Sequence, residues 1–123
     1  LSIYIPSEKT VFTGDNIDTE MHPFLGQARL NVWIDYLKGL LAMEVDTIAP
    51  GHGAVGGKEI AQKFLQYLEE FMHQVKTLKQ AGYSPEEVAE KIDIIDFFSV
   101  DPKDRPTVSR LITEGAKVIY AQV

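Results

Sequence analysis

The chain has 123 residues, of which 45% are hydrophobic and 24% charged; this balance indicates a globular domain with a core and excludes a disordered segment. Its 18 acidic and 12 basic residues give a formal net charge of −6. Because the basic residues are scattered along the chain, we do not expect it to bind nucleic acid or an anionic membrane through bulk charge. There are no cysteines, which excludes disulfides and thiolate metal sites. No apolar run approaches the roughly 20 residues of a membrane helix, so we expect a soluble, cytoplasmic protein.

Two short strands are predicted at the start of the chain, over residues 2–5 and 10–14. The turn residues Pro6 and Ser7 lie between them and favour a β-hairpin. The sequence opens inside the alternation LSIYIP without a polar lead-in. We therefore expect it to be part of a longer chain.

A helix, a strand and a glycine-rich loop are predicted next. Residues 24–41 carry apolar side chains at three- and four-residue spacing, which is typical of an amphipathic helix. The run VDTIAP, residues 45–50, predicts a third strand that ends at Pro50. The following GHGAVGG, residues 51–57, is rich enough in glycine to predict a loop.

Helices are predicted for the second half of the chain. The longest covers 58–80, with Gly82 as its C-terminal stop. Ser84 begins a capping box that predicts a helix to about residue 92. A last helix is predicted over 106–120, with Asp104 as its cap. Between these two helices, the aromatic run DIIDFF is expected to pack the tail against the body of the protein.

Asp15 and His52 are the candidate metal ligands. Each follows a predicted strand, and a helix separates the two strands in sequence, so both side chains should emerge at the same edge of one sheet. Gly51 and Gly53 allow a sharp turn around His52. Alone, Gly14-Asp15 would be interpreted as a turn; together, a carboxylate and an imidazole suggest part of a metal centre.

The motifs VFTGD and IAPGHG, in this order with a helix between them, resemble the last two metal-binding motifs of the metallo-β-lactamase-fold hydrolases, the superfamily that includes glyoxalase II-type thioesterases. The resemblance covers roughly residues 1–80. It implies that Asp15 bridges two metal ions and orients the attacking hydroxide, and that His52 completes the second metal site. Zinc, iron and manganese all suit such ligands.

What the resemblance implies is a metal-dependent hydrolase, in which a metal-bound hydroxide attacks an ester, thioester, amide or phosphoester. The family's upstream signature, His-x-His-x-Asp-His with a further histidine, is absent, and the chain has only three histidines. Two ligands cannot complete even one tetrahedral zinc site. The expected fold is therefore α/β, as the C-terminal half of an αββα sandwich (residues 1–80) with a helical extension packed on it (81–123).

By itself, this chain is expected to be inactive, to hold metal weakly and to associate with another copy or with the missing N-terminal half of its parent. A small-molecule substrate would bind to the parent. Two other interpretations stay open: a non-catalytic binding or assembly module that kept the fold without a complete metal site, and a helical interaction domain in which the two motifs are chance turns.

Three further features are weighed against plainer explanations. His22 follows Asp15 in a loop where family members place substrate-facing residues, although an exposed loop histidine is the commoner explanation. His73 is expected at the surface of the long helix or in a second layer around the site. The aromatic residues Trp33, Phe64 and Phe71 recur at helical spacing and are expected in the core.

Overall fold

The computed structural model describes residues 2–18, 22, 23, 25 and 29–123, and for residues 15, 16 and 18 the backbone alone. Within these residues the fold is α/β, with four α-helices and a small mixed sheet of three strands. No helix in the described part of the chain is both long enough and apolar enough to cross a bilayer.

The chain divides into two compact units. The first contains the described residues of Leu1–Met21 and Asn31–Gln66, and the second those of His22–Leu30 and Tyr67–Val123. The boundary in the second half of the chain falls inside a helix, between residues 66 and 67. The division expected after residue 80 stays a prediction.

The first unit contains the sheet, in the order β1-β2-β3. Strand β1 (Ile3–Ile5) pairs antiparallel with β2 (Thr10–Asp18), which confirms the predicted hairpin. A 3-10 turn at Pro6–Glu8 joins these two strands. Strand β3 (Thr47–His52) lies parallel to β2. Parallel neighbours need a crossover connection, and helix α1 (Leu30–Leu41) provides it.

Residues of β1 and β2 alternate between a buried and an exposed face of the sheet. Val11 is buried, as is Ile48, its partner on β3. Ile3 and Phe12 are register partners on the opposite face, where they are 59% and 46% exposed; Ile5 on the same face is 37% exposed. The sheet therefore has one face in the core and one apolar face open to solvent.

Helix α2 (Lys58–Gln80) continues the first unit as far as Gln66. The Trp33 ring of α1 packs on Phe64 with ring centroids 5.4 Å apart. At the start of α2, the Lys58 ammonium group donates a hydrogen bond to the Leu41 carbonyl at the end of α1, over 3.0 Å. Phe64 is fully buried, as expected for a core residue, whereas Trp33 is only half-buried, at the margin of the core.

Helices α3 (Pro85–Lys91) and α4 (Arg105–Tyr120) pack together in the second unit. The aromatic run between them buries Phe98, which stacks on Tyr67 of α2 at 5.2 Å. The predicted packing of the tail against the body of the protein stays a prediction, because both of these residues belong to the second unit. Close packing at α4 also requires Gly115, because a Cβ there would lie 3.1 Å from the Leu25 side chain.

Helix boundaries match the sequence predictions except at two starts. Helix α2 has the predicted bounds. Helix α1 begins at Leu30 rather than at 24: Leu25 and Arg29 are not helical, and Phe24 lies outside the described residues. Helix α4 begins at Arg105, and Asp104 occupies the N-cap position as predicted, although its side chain makes no capping hydrogen bond.

Candidate functional site

Parallel pairing of β2 and β3 sets the backbone positions of the two candidate ligands. Thr10 pairs with Thr47, Phe12 with Ala49, and the ladder ends with Asp18 as the Cα partner of His52. Because the strands are parallel, their carboxyl ends lie at the same edge of the sheet. The backbone segment that contains Asp15 and the strand end that contains His52 are therefore neighbours.

Strand β2 has an irregularity between Gly14 and Asp18, an interval that contains Asp15. From the pair Gly14↔Pro50 to the pair Asp18↔His52, β2 advances four residues while β3 advances two. The additional β2 residues form a bulge, which bends a strand and redirects side chains. Gly14 has φ 54°, a left-handed conformation that glycine adopts at little cost.

Strand β2 therefore continues past the point where the sequence predicted that it would end. The Gly14-Asp15 pair was expected to end the strand in a turn, but β2 runs on to Asp18. Pairing with β3 accounts for the difference, because the parallel ladder resumes beyond the bulge. The Asp15 side chain lies outside the described part of the structure, so its role as a metal ligand stays a prediction.

His52 is the last residue of β3 and is exposed. Residues 51 and 52 were predicted to begin a loop but belong to the strand. After them the chain turns at Gly53, which has φ 88°. The imidazole is therefore attached to the end of a paired strand, which defines its position better than a free loop would.

The segment after His52 is fixed by backbone hydrogen bonds. The Ile48 N–H donates to the Gly56 carbonyl over 2.6 Å, and the Gly56 N–H donates back to Ile48 over 3.1 Å. At the next residue, the Gly57 N–H donates to the Glu59 carboxylate over 2.8 Å. This bond holds the pKa of Glu59 below its ordinary value. The pairing of Ile48 with Gly56 thus closes the segment 49–55, which contains His52.

Ligands for a complete metal site are too few among the described residues. These residues contain no group of three or more histidine, aspartate or glutamate side chains that could hold an ion. Asp15 is outside that comparison, since its side chain is not described. A carboxylate and an imidazole suit zinc chemically, yet two protein ligands fill only half of a tetrahedral site. The pair therefore fits a part of a metal centre.

His22 lies in the second unit and is half-buried, whereas the commoner explanation from sequence predicts an exposed loop histidine. Its Nδ1 lies 2.9 Å from the Tyr67 hydroxyl, and its Nε2 lies 2.8 Å from the Ile95 carbonyl. The ring also meets Phe98 edge-on, at 5.5 Å between centroids. A role in a substrate loop stays a prediction.

The partners of His22 determine its tautomer. A carbonyl can only accept a hydrogen bond, so Nε2 carries the proton, and Nδ1 accepts from the Tyr67 hydroxyl. Burial lowers the pKa of His22; the bond to Ile95 and the charge of Asp96 oppose this effect only in part. Burial likewise raises the pKa of Tyr67. Both groups are therefore neutral near pH 7.

His73 and Phe71 are found where the sequence placed them. His73 is exposed on α2, as a surface residue, and Phe71 is fully buried. The aromatic surroundings of His22 could not be predicted from sequence, because Tyr67 and Ile95 lie 45 and 73 positions away from it.

Comparison with known proteins identifies no family for this chain. No protein-family model matches it, and a search of curated proteins gives no significant match.

Proposed function

We propose that this chain supplies two ligands, Asp15 and His52, to a metal centre in a hydrolase with the metallo-β-lactamase fold. The observation that carries the proposal is the parallel pairing of β2 and β3, with Asp18 opposite His52 and a bulge that contains Asp15. Two short motifs that are distant in sequence thus lie side by side in the backbone. Two turns that occurred by chance would have no reason to lie on adjacent paired strands in this β2–β3 register.

Asp15 would act through its carboxylate, which can contact two cations at once. His52 would act as a neutral imidazole, the commonest nitrogen ligand of metals in proteins. When bound, the cations would supply Lewis acidity and activate water toward an ester, thioester, amide or phosphoester. The bulge in β2 and the closed segment 49–55 would hold the two ligands in place.

The exposed face of the sheet supports the same proposal. Ile3, Ile5 and Phe12 form an apolar surface on it, and such a face is normally covered by a second layer. In an αββα sandwich that layer is the second sheet with its own helices. We propose that the parent protein supplies it, together with the remaining metal ligands.

The sequence encoded ahead of Leu1 provides the first test. The proposal requires a His-x-His-x-Asp-His signature and one further histidine there. If that sequence lacks them, the chain is not part of a hydrolase of this kind, and the interpretation as a binding or assembly module takes its place.

Variants of the complete encoded protein provide the second test. Asp15→Asn and His52→Gln should each lower bound zinc, iron or manganese, measured by plasma mass spectrometry. Hydrolysis of chromogenic ester and phosphoester substrates should fall by more than ~100-fold, since even residues behind the ligands contribute 10–100-fold. His73→Gln, an exposed change on α2, is the control. Equal metal content in all three variants would contradict the assignment.

A further inference from the structure

An open groove lies between α3 and α4 in the second unit. Its volume is about 830 Å³, and its floor is apolar, formed by Ala89, Ile92, Ile95 and Ile112. Ile112 is only 7% exposed, while the other three are half-buried. The floor residues thus pack against the protein interior on one side and remain accessible to solvent on the side of the groove.

The two walls of the groove carry opposite charges. Glu86 and Glu90 line it from α3, and their i, i+4 spacing places both carboxylates on one side of that helix. Arg105 and Lys117 line it from α4. They are twelve residues apart, which corresponds to roughly 18 Å along the helix axis. The α3 side of the groove is therefore acidic, and the α4 side carries one cation at each end.

These charges are available to a ligand. All four side chains are exposed, and no ion pair joins the two walls among the described residues. Arg105 has an ion pair with Asp96 at 3.1 Å, but both side chains are more than half exposed, and exposed pairs of this kind contribute little to stability. A partner could therefore compete for Arg105, while Lys117 needs no rearrangement.

The shape of the groove decides what could fill it. The residues that line it on α4 span about three helical turns, and this span with a concave section fits a convex rod, as in the binding of a single helix in a groove. A second copy that presented the same concave face would leave an empty space between the two. We infer that the groove binds an amphipathic helix of a partner protein. Lysine or arginine on one flank of that helix would face Glu86 and Glu90, and acidic residues on the other flank would face Lys117 and Arg105.

A synthetic peptide tests this inference on the full 123-residue chain. The probe is a fluorescein-labelled helix of roughly 12 residues, with leucines along one face, lysines on one flank and glutamates on the other. Fluorescence anisotropy should show saturable binding. The double variant Glu86→Lys/Glu90→Lys should weaken binding about tenfold, and a second peptide with glutamates on both flanks should restore it. Glu114→Lys, the same charge change on α4 outside the groove, should have no effect.

A steric pair of variants tests the location independently. Ser109 is exposed and lines the groove, whereas its exposed neighbour Arg110 does not. Ser109→Trp should abolish binding and Arg110→Trp should retain it, with circular dichroism to verify that both fold. If the peptide does not bind, or binds both tryptophan variants equally, the inference is wrong. If Ser109→Trp fails to fold, the restoration of binding by the second peptide decides the question.

Discussion

Gly14 determines the backbone path that leads to Asp15. Its φ of 54° lies in the left-handed region, where a Cβ approaches the following carbonyl oxygen. The bulge that follows it contains Asp15 and lies between the pairs of Gly14 with Pro50 and Asp18 with His52. A conformation that only glycine adopts cheaply is therefore used at the position next to the candidate ligand.

Replacing this glycine should destabilise the protein. We expect Gly14→Ala to lower the free energy of unfolding by about 1–2 kcal/mol, the usual cost of a left-handed residue with a Cβ, as measured by urea denaturation. Gly39→Ala is the matched control. Gly39 lies in α1 with nothing within 4 Å of an added Cβ, so alanine there should stabilise by up to about 1 kcal/mol. Equal effects of the two variants would contradict a strained Gly14.

His22 should make folding stability depend on pH. Its pKa is lowered in the folded state from the ordinary value of 6.5, so the unfolded chain takes up the proton first as the pH falls. The stabilisation is therefore complete above about pH 7 and decreases as the pH is lowered through and below 6.5. Urea unfolding should show the advantage of the wild type over His22→Gln shrinking between about pH 7.5 and pH 5.5.

Removing the exposed imidazole with His73→Gln serves as the control for that experiment. An advantage of the wild type over His22→Gln that stays constant, or grows toward low pH, would contradict the neutral tautomer.

The sequence alone could not suggest this behaviour. Asp15 and His52 were found through local motifs, whereas the surroundings of His22 are assembled from Tyr67, Ile95 and Phe98, which share no motif with it.

At the scale of elements, local signals located the helices better than the strands. The predicted bounds of α2 are confirmed because the apolar stripe along this 23-residue helix and the glycine that follows it are both local features. The end of β2 depends on pairing with β3, which a turn signal at Gly14 cannot reveal. The start of α1 is likewise non-local: the Leu30 N–H donates to the Gln122 side chain over 3.0 Å, and these residues are 92 positions apart.

Two helix starts that looked alike in sequence differ in the structure. At α3, the Ser84 hydroxyl accepts from the Glu87 N–H over 3.3 Å, and the Glu87 carboxylate accepts from the Ser84 N–H over 3.1 Å. These bonds form the predicted capping box and lower the pKa of Glu87. At α4, the carboxylate of Asp101 accepts from the Lys103 N–H, and the Asp104 side chain makes no capping hydrogen bond.

These two starts should respond differently to alanine. Ser84→Ala should lower the free energy of unfolding by about 1 kcal/mol, since it leaves a backbone N–H of α3 without its partner. Asp104→Ala should change it by only a few tenths of a kcal/mol, the size of a weak charge–dipole effect at an exposed helix end. Chemical denaturation of both variants measures the difference. A larger loss for Asp104→Ala would mean that its carboxylate does cap α4.

At the scale of the whole molecule, we expect the open face of the sheet to determine whether copies of the chain associate. Full burial of an isoleucine or phenylalanine side chain contributes about 1.5–3 kcal/mol. Ile3, Ile5 and Phe12 are roughly half exposed, so covering them would contribute about 2–4 kcal/mol for each copy. Two copies that meet face to face would gain twice that, against the cost of losing translational and rotational freedom.

The isolated chain should therefore associate weakly and reversibly. A gain of this size supports a dimer at high protein concentration but not a tight one, since micromolar affinity requires about 8 kcal/mol. Size-exclusion chromatography with light scattering should show an average mass that rises with concentration. Phe12→Ser should abolish the rise, whereas Val32→Ser, on α1 at a residue that is 52% exposed, should not.

Metal analysis after dialysis should find little bound metal, because Asp15 and His52 are only two ligands. A chain that stays monomeric at every concentration and holds two metal ions tightly would contradict two expectations: that another layer covers the sheet and that further metal ligands come from the parent protein.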